Sequence, residues 1–109
     1  MINKISNIVI IGASGSIGSA FLSEFIRIDN TKIYALSRSK INITNPRVTN
    51  YHIDIEDEES IKQAADFVME KVDSLDAVII ATGTLCIGEI RPEKSLKQPL
   101  LDLVYLVYL

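Results

Sequence analysis

The sequence predicts an α/β fold in which a mainly parallel sheet carries helices on both faces. Three observations predict it. Short apolar runs alternate with amphipathic segments in the order β-α-β-β-α-β. The runs at 7–11 and 76–81 are continuous rather than alternating, as in strands buried on both sides. The first run ends in three glycines, Gly12, Gly15 and Gly18, and a helical pattern follows at once.

Each element has its own warrant. Met1 to Ser6 is a lead-in, and Asn7 to Ile11 is a buried strand. Ile17, Ala20, Phe21, Phe25 and Ile28 recur at three- and four-residue spacing, which predicts a helix whose apolar face is this stripe. Asp29-Asn30 supplies the turn chemistry that ends it. Ile33 to Leu36 is a second strand, Lys40 to Pro46 a polar loop, and Val48 to Ile53 a third strand. Asp57 is placed to cap the next helix, with Glu58 and Glu59 in its first turn, where the helix dipole favours acids. Ile61, Ala64, Ala65, Val68, Met69 and Val72 mark its buried face. Asp73-Ser74 breaks it, and Asp76 to Ala81 is the fourth strand. Beyond Cys86 the pattern fades, and Pro99 interrupts any helix there.

Size and composition narrow the function classes. A chain of 109 residues permits one domain, and 48% apolar with 23% charged residues is a globular composition. The net charge of −3 gives a nucleic-acid partner no electrostatic support. A single cysteine excludes an internal disulfide and fits a reducing compartment. No signal peptide is evident, and the apolar stretch at 100–109 is too short to span a bilayer. The expectation is a cytoplasmic protein with no membrane partner.

Ligands of open α/β sheets bind outside the carboxyl ends of the strands. That rule selects Gly12 to Gly18, Ser37-Arg38, Asp54-Ile55 and Ala81-Thr82-Gly83. The strand, glycine turn and helix start read as a Rossmann-like dinucleotide site, with phosphates at the helix N-terminus. Gly12 turns the chain, Gly15 opens space for a pyrophosphate, and Gly18 lets the helix approach the sheet. Arg38 stands where an acidic residue binds the ribose of NAD, and a guanidinium there favours NADP, a solvated surface arginine being the alternative. Asp54 either accepts from an adenine amino group or is a strand-end turn residue or a helix cap. Gly83 either admits the cofactor or only makes a turn. His52, without an evident partner in the sequence, is expected to be structural, and Cys86 to be a packed thiol. Glu56-Asp57-Glu58-Glu59 reads as a helix N-terminus rather than a metal site.

Together, Gly12-Ala-Ser-Gly-Ser-Ile-Gly18, Ser37-Arg38, Asp54-Ile55 and Ala81-Thr-Gly83 resemble the N-terminal half of the short-chain dehydrogenase/reductase family. Ala81-Thr-Gly-Thr-Leu followed by Gly88-Glu-Ile-Arg-Pro-Glu-Lys-Ser95 is similar to its C-factor-like branch. The resemblance covers roughly residues 5 to 97 and implies a partial NAD(P)-binding domain over 1–97, with an apolar tail of no family character over 98–109. It implies that Gly12, Ser14, Gly15, Ser16, Ile17 and Gly18 hold the pyrophosphate and Arg38 the 2′-phosphate. Asp54 and Ile55 would hold the adenine end, and Ala81, Thr82 and Gly83 the adjoining ribose. Two motifs depart from the family. The glycines are spaced three and three where many members have four and two, which leaves Ser16 at a usual glycine. The Asn-Asn-Ala-Gly of many members reads Ile80-Ala-Thr-Gly83.

The family's chemistry uses a serine, an asparagine and a tyrosine followed four residues on by a lysine, which lowers the tyrosine pKa. All four would lie after residue 97, where this sequence has no serine, asparagine or Tyr-x-x-x-Lys. The expectation is therefore the NADP-binding portion of an oxidoreductase, truncated after about the fourth strand by a frameshift and inactive alone. A non-enzymatic NADP- or partner-binding module and a non-functional remnant are the alternatives. An uncovered sheet edge and the tail would favour self-association.

Overall fold

The structure, a computed structural model, describes residues 5–81. It contains β1 (Ser6–Ile11), α1 (Ser16–Ile26), β2 (Thr31–Ser37), β3 (Val48–His52), α2 (Glu58–Lys71) and β4 (Ala77–Ile80). The strands form one four-stranded sheet in the order β3-β2-β1-β4. Every pairing is parallel. Among the described residues no helix is long and apolar enough to cross a membrane.

The continuous apolar runs bury both faces of the sheet. Ile8 and Ile10 of β1 point to one side, with Ile33, Ala35, Ala13 and Leu22. Val9 and Ile11 point to the other, with Tyr34, Leu36, Ile61, Ala64, Ala65 and Val68. α1 covers the first face and α2 the second. Each large aliphatic side chain so buried contributes about 1.5–3 kcal/mol. α2 follows its sequence pattern closely. The Asp57 carboxylate accepts from the backbone N–H groups of Glu59 at 3.1 Å and Ser60 at 3.4 Å, with Glu58 and Glu59 in the first turn. Such a cap contributes about 1 kcal/mol.

α1 differs from its prediction. The stripe Ile17, Ala20, Phe21 does not face the sheet: Ile17 is 65% exposed and Phe21 40% exposed. The buried residues are Gly18 and Leu22, with Phe25 and Ile26 partly buried behind them. Gly18 is the cause. A Cβ added there would lie 2.0 Å from the Gly12 carbonyl oxygen and 2.9 Å from the Ala13 Cα. The helix backbone therefore touches the turn at Gly18. That contact rotates α1 so that positions one residue away swing outward by about 100°.

The β2–β3 crossover contains no helix. Residues 38–47 run across the α1 face instead, where Ile41 and Ile43 pack on the core. Arg47 anchors the far end. Its guanidinium donates to the carbonyls of Ile26, Ile28 and Thr31 and to the Thr31 hydroxyl. The Thr31 hydroxyl lies 2.9 Å from the Phe25 carbonyl and 2.7 Å from that of Ile28. A cation thus satisfies the carbonyls left over at the C-terminus of α1. Nothing in the local pattern singled out Arg47.

Three stability outcomes follow from this packing, each read by thermal and urea denaturation. Gly18→Ala is expected to cost about 3 kcal/mol or more, because backbone must move to admit the methyl group. Arg47→Ala is expected to cost about 1–2 kcal/mol through loss of charge-assisted hydrogen bonds. The buried Tyr34 hydroxyl has no hydrogen-bond partner among the described residues. Tyr34→Phe is therefore expected to be neutral or to stabilise by about 1 kcal/mol.

Candidate functional site

The register brings the four strand ends to one edge. Ile11 pairs with Leu36 and with Ile80, and Ser37 pairs with His52. The segments that follow β1, β2, β3 and β4 therefore emerge together. The order β3-β2-β1-β4 also reverses direction between β1 and β4, the switch point at which such sheets open a crevice.

A cleft of ≈ 310 Å³ lies there. Of the residues singled out in the sequence, Gly12, Ser14, Gly15, Arg38, Asp54, Ile55 and Ala81 line it. Gly18 is buried beneath the turn, and Ser16 and Ile17 line a separate groove with Phe21. These three residues form the first turn of α1 instead. Thr82, Gly83 and Cys86 lie outside the described residues. Ser37, selected with Arg38 as a strand end, lines the cleft too, and Ser39, Ile53 and Glu56 are lining residues that the sequence reading did not place at the site. Their signal was adjacency, since each lies within two residues of a residue that it did name.

The turn is held rigidly. The Gly12 and Ala13 N–H groups donate to the Leu36 carbonyl at 2.8 and 3.1 Å, and the Gly15 N–H donates to the Gly12 carbonyl at 3.1 Å. The Ala81 N–H donates to the Ile11 carbonyl at 2.8 Å, which fixes the opposite lip. Gly12 has φ 86°, a left-handed conformation that favours glycine. Gly15 differs from both of its partners. Its φ of −75° suits any residue, and a Cβ there would make only ordinary contact, 3.5 Å from the Gly12 carbonyl oxygen.

The two helix starts also differ. α2 is capped by Asp57, whereas among the described residues no side chain caps α1, and no acid lies in its first turn. The positive end of α1 at Gly15 is thus left for an external anion. Across the cleft, Asp54 is tied into a turn. Its Oδ1 accepts from the Glu56 N–H at 3.0 Å, and its own N–H donates to the Ser60 hydroxyl at 2.8 Å. Asp54 therefore makes a strand-end turn, and it lines the cleft as well. Arg38 is exposed at the lip. Ser37, just before it, is buried, and its hydroxyl donates to the Ser39 carbonyl.

No protein-family model matches the sequence, and no curated protein matches it. Solved structures do. A short chain dehydrogenase family protein from Francisella tularensis aligns with TM-score 0.70 at 17% identity, over 95% of this chain and 46% of that one. An NADPH-bound carbonyl reductase from chicken fatty liver aligns with TM-score 0.60 at 19% identity, over 97% of this chain and 44% of that one. An NADH-dependent reductase complexed with NAD aligns with TM-score 0.65 at 17% identity, over 95% and 51%. The chain spans about half the length of these structures, and over that half it has the fold of a short-chain dehydrogenase.

Proposed function

We propose that this chain binds a nicotinamide dinucleotide at the carboxyl edge of its sheet, NADP in preference to NAD. On this reading it is the cofactor-binding part of a short-chain dehydrogenase/reductase-type oxidoreductase. The observation that carries the reading is Gly15. The fold makes no demand for glycine there, yet the residue sits on the cleft wall at an uncapped helix N-terminus. A pyrophosphate lying against the backbone supplies the missing reason.

The remaining residues take the roles that the resemblance implies. Gly12, Ser14 and Gly15, with the first turn at Ser16, Ile17 and Gly18, hold the pyrophosphate. Arg38 holds the 2′-phosphate through a guanidinium suited to phosphate oxygens. Asp54 and Ile55 take the adenine, and Ala81, Thr82 and Gly83 the adjoining ribose. One structural neighbour binds NADPH and another NAD, which supports a nicotinamide cofactor in general. The preference for NADP rests on Arg38, and the C-factor-like branch on the Gly88–Ser95 motif.

When bound, the nicotinamide carries the hydride exchanged between a carbonyl and an alcohol. The acid/base pair for that exchange is not in this sequence, which holds no Tyr-x-x-x-Lys. The proposal is accordingly cofactor binding without turnover by this chain alone.

Calorimetric titration is expected to give saturable binding of both NADPH and NADH, tighter for NADPH. Arg38→Ala is expected to weaken NADPH about tenfold, or ~1.4 kcal/mol, and NADH by less than about twofold. Gly15→Ala is expected to weaken both nucleotides about tenfold while lowering stability by less than about 1 kcal/mol. A folded chain that binds neither nucleotide rejects the reading.

A further inference from the structure

The two edges of the sheet differ in chemistry. β3 forms one edge, and its sequence Val48-Thr-Asn-Tyr-His52 mixes apolar with polar residues. Asn50 and His52 are exposed there, although His52 was expected to be structural. Such an edge suits water. β4 forms the other edge, and Ala77-Val-Ile-Ile80 carries no polar side chain. Ala77 and Ile79 pack on the α1 side of the sheet, Val78 and Ile80 on the α2 side. All four are only half-buried, whereas Ile8, Val9, Ile10 and Ile11 of the adjacent β1 are buried. A run that is apolar on both faces is the pattern of an interior strand, and here it stands at an edge.

The register identifies the open side of β4. The Ala81 N–H donates to the Ile11 carbonyl. Backbone groups alternate in direction along a strand, so Ile79 also faces β1. The N–H and C=O groups of Val78 and Ile80 face the other way. Among the described residues, β4 pairs with β1 alone.

One segment of this chain matches that edge. Residues 103–109, which lie outside the described residues, read Leu-Val-Tyr-Leu-Val-Tyr-Leu. The run is continuously apolar, like those of β1 and β4, and rich in the β-branched and aromatic residues that favour strands. It holds no glycine, proline or charge. Residues 82–102 connect it to β4, more than the dozen or so that a parallel crossover needs. Every pairing already in the sheet is parallel. A tether of this kind gives the segment a local concentration on the order of millimolar, far above that of a second copy at micromolar concentration.

We propose that segment 103–109 docks on the open edge of β4 within the same chain, as a fifth strand of the sheet. The inference is independent of the dinucleotide reading. The added strand supplies backbone partners to Val78 and Ile80 and moves β4 from the edge to the interior, where its sequence belongs. The tail that was expected to favour self-association closes the edge instead.

NMR on the full chain tests the proposal. The Val78 and Ile80 amides are expected to be protected from hydrogen exchange, as Ile79 is by β1, and to show NOEs to the backbone of residues 103–109. In a sample mixing labelled with unlabelled chains, these NOEs are expected to remain within one chain. Leu106→Pro removes a strand donor from the segment. It is expected to speed exchange at Val78 and Ile80 at least about tenfold while changing Ile79 less than about threefold. Val78 and Ile80 exchanging freely beside a protected Ile79 in the unmodified chain overturns the proposal. So do NOEs that arise between chains, which make a second copy the occupant, and protection without any NOE to residues 103–109. The NOEs are read on the unmodified chain and decide the matter whether or not the variant folds.

Discussion

The contact between Gly18 and the Gly12 carbonyl is the constraint on which the other features depend. Any side chain at position 18 would occupy space already filled by the turn, since its Cβ would lie 2.0 Å from that oxygen. The close approach fixes where α1 begins and how it is rotated about its axis. It sets Leu22 on the sheet and turns Ile17 and Phe21 away from it. It also fixes where the uncapped end of the helix meets the carboxyl edge of β1, the floor of the cleft. Position 18 thus controls fold and site through one backbone contact.

The same contact explains which features were legible in the sequence. The order of elements along the chain, both helices and the Asp57 cap were readable, because continuous apolar runs, a 3.6-residue period and an acidic first turn are local signals. The inward face of α1 was not. Ile17, Ala20, Phe21 and Phe25 make a convincing stripe, and periodicity counts apolar residues without asking how closely a backbone must approach. Gly18, Leu22, Phe25 and Ile26 form an equally regular set once glycine is counted as a packing residue. The site was legible at its strand ends, where the rule is topological. The missed lining residues Ser39 and Glu56 are polar loop positions, and only the folded path of the chain brings them to the cleft.

A parallel pair joined without a helix has to cover its sheet face by other means. Here Ile41 and Ile43 supply the apolar cover, and Arg47 ties the end of the crossover to α1 and β2. That solution has a consequence at the other end of the loop. A helical crossover would draw the chain away from the sheet directly after β2. The irregular one stays close to β3, so Arg38, Ser39 and Lys40 remain beside the end of that strand. The polar run that reads as featureless in sequence is therefore what keeps Arg38 and Lys40 beside β3.

The glycine triplet carries two kinds of information that sequence alone cannot separate. Gly12 is required by its left-handed backbone and Gly18 by the crowding of the turn, so both would be glycine in a fold that bound nothing. Their presence supports the architecture and is neutral about a ligand. Gly15 has neither excuse: its backbone is ordinary, and the space beside it is open to a methyl group. A glycine at a helix N-cap where serine or aspartate would cap the first turn better forgoes a fraction of a kcal/mol, on the order of 0.5. The ligand reading accounts for that choice, because a side-chain cap would compete with an anion for the same N–H groups. The motif's functional content therefore lies in the one glycine that the fold could do without.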